Sequence, residues 1–141
     1  MQFFKFTDFW NYVREKIRER NGTKFVTYRQ QINPELSVHR VYTEVSDLPE
    51  HERVEFTRIR VFAHNLAIEK GRWSRIKREE RYCSCGPCVQ TENHALLDCP
   101  VTLPLREKFR DSDISFIDLP DLFASNPRKL VQYVYQCMKA L

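Results

Sequence analysis

Four cysteines and a histidine fall within nineteen consecutive residues, Tyr82 to Pro100, in the stretch YCSCGPCVQTENHALLDCP. Thiols and an imidazole at this density restrict the fold more than any other feature of the chain. Zinc takes four tetrahedral donors, and a short turn presents two of them while a neighbouring element brings the rest. Two ligand schemes fit the spacing. In one, Cys85-Gly-Pro-Cys88 is the first pair and His94 and Cys99 complete C-x2-C-x5-H-x4-C. In the other, Cys83-Ser-Cys85 is the first pair and Cys88 is a spare thiol. His94 and Cys99 serve both schemes, and one tetrahedral ion cannot take all five donors. Full Cys/His ligation leaves no position for water, so the expected cofactor is one structural Zn2+ and not a catalytic ion.

The rest of the cysteine count agrees. Five is an odd number, and four of them stand too close together to staple distant elements, which excludes a secreted disulfide framework. Reduced or metal-bound thiols are expected instead. A length of 141 residues, 30% charged and 42% hydrophobic with net charge +4, is that of one soluble, mildly basic domain. No run of 18 apolar residues exists, and MQFFKFTDFW lacks the parts of a signal peptide. An intracellular location, nuclear or cytoplasmic, is the expectation, with no membrane.

Periodicity predicts a mainly α protein: a small single domain, 1–141, of several helices around a knuckle-like zinc turn, with short extended segments in its N-terminal half. Residues 1–50 read as an N-terminal helix and an irregular or extended segment, and 51–141 as the zinc-binding region. Thr7 or Asp8 is placed to cap a helix from about Phe9 to Arg20 with Phe6, Trp10, Val13 and Ile17 on one face. TKFVTYRQ and VHRVYTEV alternate enough to predict extended chain, with INPEL as a turn between them. Ser46 or Asp47 then caps a long helix through RVEFTRIRVFAHNLAIEKG, burying Val54, Val61, Phe62 and Leu66 and closed by Gly71. A short helix is expected in VTLPLREKF, a loop with a turn in DSDISFIDLPDLF, and a terminal helix from Pro127.

Upstream of the cluster, Thr57 to Arg81 carries eight cations against Glu69, Glu79 and Glu80. Such an excess suits phosphate binding, and Trp73 and Tyr82 add faces on which bases stack. Arg58, Lys70, Arg72, Trp73, Arg75, Lys77, Arg78 and Arg81 are therefore the candidate nucleic-acid contacts. Other chemistries find no support. Cys85-Gly-Pro-Cys88 has oxidoreductase spacing without the strand-then-helix context, and the deaminase pattern H-x-E with P-C-x-x-C is missing. Adjacent Glu79 and Glu80 would point about 100° apart on a helix, which rules out an acid/base pair. Asp111, Asp113, Asp118 and Asp121 lack an EF-hand frame and read as helix caps, and Cys137 as a buried thiol. His39, His51 and His64 show no partner in the sequence.

Several of these segments together resemble a known family. TRIRVFAHNLAIEKGRW, REERYCSCG, VQTENHALLDCP and PLREKF look like the zinc-binding domain that follows the polymerase in non-LTR (LINE-type) retrotransposon reverse transcriptases. The resemblance runs from about Thr57 to the C-terminus. Glu92, His94, Cys99 and Pro100 match its acidic residue two before a histidine and its H-x4-C-P. It implies Cys83, Cys85, His94 and Cys99 as the zinc ligands, with the extra Pro87-Cys88 a departure and Cys88 the alternative ligand. It also implies nucleic acid, RNA or DNA, as partner, because the parent enzymes copy RNA into DNA. No polymerase motif or endonuclease carboxylate cluster is present, so neither activity, nor a small-molecule substrate, is expected of the chain itself. The alternative is a zinc-stabilised interaction module whose terminal helix or FKFTDFWNYV docks on a reverse-transcriptase core or another protein.

Overall fold

The structure, a computed structural model, describes residues 6–141, with side chains from residue 8 onward. Its described residues are mainly helical, with one two-stranded antiparallel sheet. They fall into two compact units, the first ending at Ser37 and the second running from Val38 to Leu141. The division at 37/38 falls inside the N-terminal region, 1–50, that the sequence marks off. His39 explains that division: its Nε2–H donates to Phe123 O at 2.7 Å, which ties this part of the chain to the C-terminal half.

In the first unit α1 spans Phe6–Glu19. Thr7 and Asp8 lie inside it. Of the expected face, Val13 and Ile17 are half-buried and Trp10 is 38% exposed, while the Phe6 side chain lies outside the described residues. TKFVTYRQ is not extended. It forms α2, Thr23–Thr27, which widens into a π turn over Tyr28–Ile32. Phe25, Tyr28 and Ile32 stand at i, i+3 and i+7, a helical spacing that overrides the strand preference of Phe, Val, Thr and Tyr. INPEL is a loop, as predicted. Asn33 closes it by donating to Tyr28 Oη and Ser37 O while its Oδ1 accepts from Ser37 N.

The second unit begins with another correction. VHRVYTEV contains the short helix α3, Val41–Glu44, and no strand. Val41, Val45 and Leu48 are buried at i, i+4 and i+7, and His39 Nδ1 accepts from Val41 N to start the turn. Helix α4 covers Glu50–Arg60 and stops there, eleven residues short of Gly71. Neither Ser46 nor Asp47 caps it: Pro49 holds the cap position, and Asp47 pairs with Arg128. Its buried residues are Phe56, Ile59 and Arg60, whereas Val54 and Val61 are exposed. Phe62 has φ 57, which ends the helix, and from Val61 to Leu66 burial alternates strictly, with Phe62, His64 and Leu66 inward. That period of two, not 3.6, is how the core takes these side chains.

Helix α5 follows over Ala67–Trp73, then a 3-10 turn at Arg78–Glu80, strands β1, Tyr82–Cys83, and β2, Gly86–Val89, and a π turn at His94–Asp98. Helices α6, Leu103–Lys108, and α8, Pro127–Ala140, stand where the sequence predicts them, and the end of the expected loop DSDISFIDLPDLF is instead helix α7, Leu119–Phe123. Asp118 caps α7 through Asp121 N, and Asn126 caps α8 through Lys129 N. Pro127, Leu130, Val131, Val134 and Cys137 form a helical stripe that α8 buries against its neighbours, α4 foremost. Each large apolar side chain so buried contributes about 1.5–3 kcal/mol relative to exposure. Tyr133 lies between the Phe109 and Phe116 rings, edge to face at 5.6 and 5.1 Å, and its hydroxyl donates to Leu96 O. That bond anchors the His94–Asp98 turn to the core.

Candidate metal centre

The cluster is built by a tight hairpin and one wide turn. In the hairpin Cys83 pairs with Gly86, whose φ of 152 is a conformation L side chains rarely adopt. Cys83 and Cys85 come from this turn. In a regular α-helix His94 and Cys99, five residues apart, would face directions about 140° apart. The π turn corrects this: Cys99 N donates to His94 O at 2.7 Å, and the extra residue per turn draws both side chains to one side.

The result is one constellation. The donor atoms of Cys83, Cys85, His94 and Cys99 all lie within 4.8 Å of one another. Cys83 Sγ is 3.7 Å from Cys99 Sγ, and Cys85 Sγ is 3.3 Å from His94 Nε2. Two thiolates bound tetrahedrally at about 2.3 Å stand about 3.8 Å apart, so these edges suit a small four-coordinate cation. They are far too long for a disulfide, and all five cysteines are free. Cys88 is exposed on β2 and lies outside the constellation. The Cys85/Cys88 scheme is therefore not the one the fold assembles.

The neighbouring groups hold the donors. Gln90 Nε2 lies 3.5 Å from Cys83 Sγ as a donor to sulfur, and Gln90 Oε1 accepts from Ala67 N at 2.6 Å, which joins the hairpin to the start of α5. Thr102 Oγ1 donates to Ala95 O and Cys99 O, and Arg106 donates to Thr102 Oγ1 and Cys99 O. Beneath the cluster, buried His64 donates Nε2–H to Glu92 Oε1 at 2.8 Å, since its Nδ1 accepts from Leu66 N. Burial opposes the Glu92 charge, but this bond and its own backbone N–H keep the carboxyl below its usual range. Gln90, Thr102 and Arg106 had no signal in the sequence. Glu92 had one, as an acid two residues before His94, although its histidine partner is 28 positions away.

The thiols ionise unequally. Burial disfavours the Cys83 thiolate, yet hydrogen bonds from the Cys85 backbone and from Cys85, His94 and Cys99 hold it down to about 6. Burial, then hydrogen bonding and charge from Cys83 and Cys99, push Cys85 up to about 12. Three thiolates this close repel one another unless a cation stands among them, which is the chemistry a metal site resolves. These four residues can hold a metal ion.

The structure separates the basic candidates. Lys70, Arg72, Trp73, Arg75, Lys77 and Arg78 are exposed on the end of α5 and the loop after it. Arg58 is on α4, 2.6 Å from Glu55 and beside Tyr135 and Lys139, so it is not part of that run. Arg81 is turned inward: its guanidinium donates to Ile68 O and twice to Ile76 O. Tyr82 is exposed on β1, and among the described residues no helix is long and apolar enough to cross a membrane. Compared with protein-family models, curated proteins and solved structures, the chain matches none.

Proposed function

We propose that the chain is a zinc-stabilised nucleic-acid-binding module of the kind that closes non-LTR reverse transcriptases, with no polymerase or nuclease activity of its own. One observation carries the reading: three thiols and an imidazole converge within 4.8 Å soon after a segment, Lys70 to Arg78, with five cations and no carboxylate, Glu79 and Glu80 standing between the two. Zn2+ suits a Cys3His donor set, and Cys83, Cys85, His94 and Cys99 would hold it. Bound there, the ion supplies folding energy by fixing the hairpin to the wide turn. The residues before it do the binding. Lys70, Arg72, Arg75, Lys77 and Arg78 offer phosphate contacts, while Arg81 shapes their backbone from behind.

Metal analysis on protein purified under reducing conditions, with circular dichroism during chelation, tests the first half. One zinc per chain, lost in Cys83→Ser, Cys85→Ser, His94→Ala and Cys99→Ser but kept in Cys88→Ser, is the expected result. A labelled oligonucleotide tests the second. Affinity should fall steeply with salt, and joint replacement of Arg72, Arg75, Lys77 and Arg78 by Ala should flatten the slope by about four. Salt-insensitive binding would sink the nucleic-acid half and leave the metal half standing.

A second reading has its own observation. On α1, Phe9 and Tyr12 are 54% and 55% exposed, an apolar surface that suits a protein partner better than phosphate. Of FKFTDFWNYV, Phe4 and Lys5 and the side chains of Phe6 and Thr7 lie outside the described residues. Partner binding that survives neutralising the basic loop would favour this reading.

A further inference from the structure

We propose that Trp73 is a stacking platform for an unpaired base, so that the Lys70 to Arg78 loop selects single-stranded over double-stranded nucleic acid. This deepens the nucleic-acid reading and rests on it. Trp73 is 81% exposed, more than any other aromatic ring among the described residues, whereas Phe56, Phe109 and Tyr133 of the same unit are buried. Among the described residues no ring and no cation stacks on its indole. What sets this indole apart is its company: an open aromatic face set within a run of cations is the combination on which single-stranded bases stack.

The loop that carries it is pinned, not slack. Ser74 N donates to Lys70 O and Ile76 N to Gly71 O at 2.8 Å, closing the end of α5. Arg75 takes φ 57, a left-handed conformation that costs a non-glycine residue about 1 kcal/mol. Arg81 supplies the restraint that keeps it there. Its Nε and Nη2 both donate to Ile76 O, at 3.0 and 2.8 Å, and its Nη1 to Ile68 O at 2.9 Å. Arg81 is thus a positioning residue, and the indole is held at a fixed place between cations.

Charge names the occupant. Five exposed cations flank Trp73 within nine residues; Arg72 reaches Glu69 at 3.4 Å, and among the described residues Lys70, Arg75, Lys77 and Arg78 pair with no carboxylate. Phosphates at the spacing of a nucleic-acid backbone complement such a run. The indole then decides the form of the strand. Paired bases present only their edges in the grooves, whereas an unpaired base offers a face to an aromatic ring. Stacking of one base contributes about 1–3 kcal/mol, or about 5- to 150-fold in affinity.

The test uses the full chain with Trp10→Phe, so that Trp73 is the only tryptophan, titrated at low salt with a short oligothymidylate and with a duplex of equal length. Quenching of Trp73 emission by the single strand but not the duplex is expected. Trp73→Ala should weaken the single strand about 5- to 150-fold by anisotropy, Trp73→Phe should restore part of the loss, and duplex affinity should stay unchanged. Arg81→Lys, which keeps the charge but not the three-bond clamp, should lower the single-strand preference with its zinc content intact. Equal binding of both forms with no effect of Trp73→Ala would overturn the inference while the broader nucleic-acid reading stood. No binding of either form would remove both and return the indole to a protein partner.

Discussion

At Gly71 one missing atom makes room for an arginine. A Cβ there would stand 2.5 Å from Arg81 Cγ, 2.7 Å from Cδ and 2.9 Å from Nε. All three belong to a side chain already fixed by hydrogen bonds to Ile68 O, before the basic loop, and Ile76 O, within it. Gly71→Ala should therefore lower stability by about 1–3 kcal/mol despite the better helix propensity of Ala, which recovers at most about 1 kcal/mol. Urea unfolding measures this; an unchanged or raised midpoint would mean that Arg81 moves aside without loss. The sequence showed Gly71 only as a helix stop, because nothing local announces a contact from ten residues away. The metal donors were far more legible. Spacing alone named His94 and Cys99 and narrowed the first pair to two choices. It could not decide between Cys83 and Cys88, since both lie close to Cys85 and only the Gly86 turn sends one inward and the other to solvent.

At the scale of elements, helices that bury a stripe on one neighbour were readable and irregular ones were not. The terminal helix announced itself through Asn126, Pro127 and apolar residues at i, i+3, i+4 and i+7. The chain after Arg60 could not, because in Val61 to Leu66 the apolar residues do not alternate with polar ones: the buried positions hold Phe62, His64 and Leu66, and the exposed ones Val61, Ala63 and Asn65. TKFVTYRQ and VHRVYTEV misled for a related reason: β-branched and aromatic residues are strand-prone, but the first segment is a helix with no buried residue and the second buries Val41 and Val45 at i and i+4. The wide His94–Asp98 turn was equally hidden, although H-x4-C needs it. This turn depends on α8. Tyr133→Phe removes the hydroxyl that donates to Leu96 O and leaves a buried carbonyl short of a partner, a loss of about 1–3 kcal/mol. A lower thermal midpoint and, for protein loaded with a metal ion, faster transfer of that ion to a chelator are expected together. A lower midpoint with unaltered transfer would show that the turn stands without its anchor.

For the molecule as a whole, acid is the condition to fear. His39 is held neutral from both sides, its Nδ1 accepting from Val41 N and its Nε2–H donating to Phe123 O. Burial first, then Arg60 and Arg40, bring its pKa below 6.5 against the pull of the Phe123 carbonyl. As pH falls through about 6.5 the unfolded chain gains a proton that the folded chain refuses, so stability declines. Glu92, lowered in the folded state, adds a second loss as pH falls through the ordinary carboxylate range, about 4.3. Urea midpoints should drop between pH 7.5 and 5.5 and again towards pH 4. In His39→Gln the first drop should shrink relative to the parent, and an equal drop in both would assign it to the thiols.

The wide turn and the hairpin also have a topological meaning. Their donors sit at the two ends of the seventeen residues from Cys83 to Cys99. An ion held between them closes that span into a ring, and a ring has far fewer unfolded shapes than an open chain. For a covalent bridge closing about 15 residues the gain is about 3 kcal/mol, and a metal bridge restricts the denatured ensemble in the same way. Unlike a disulfide, such a clasp would open without any change of oxidation state, through competition for the ion or protonation of its thiolates.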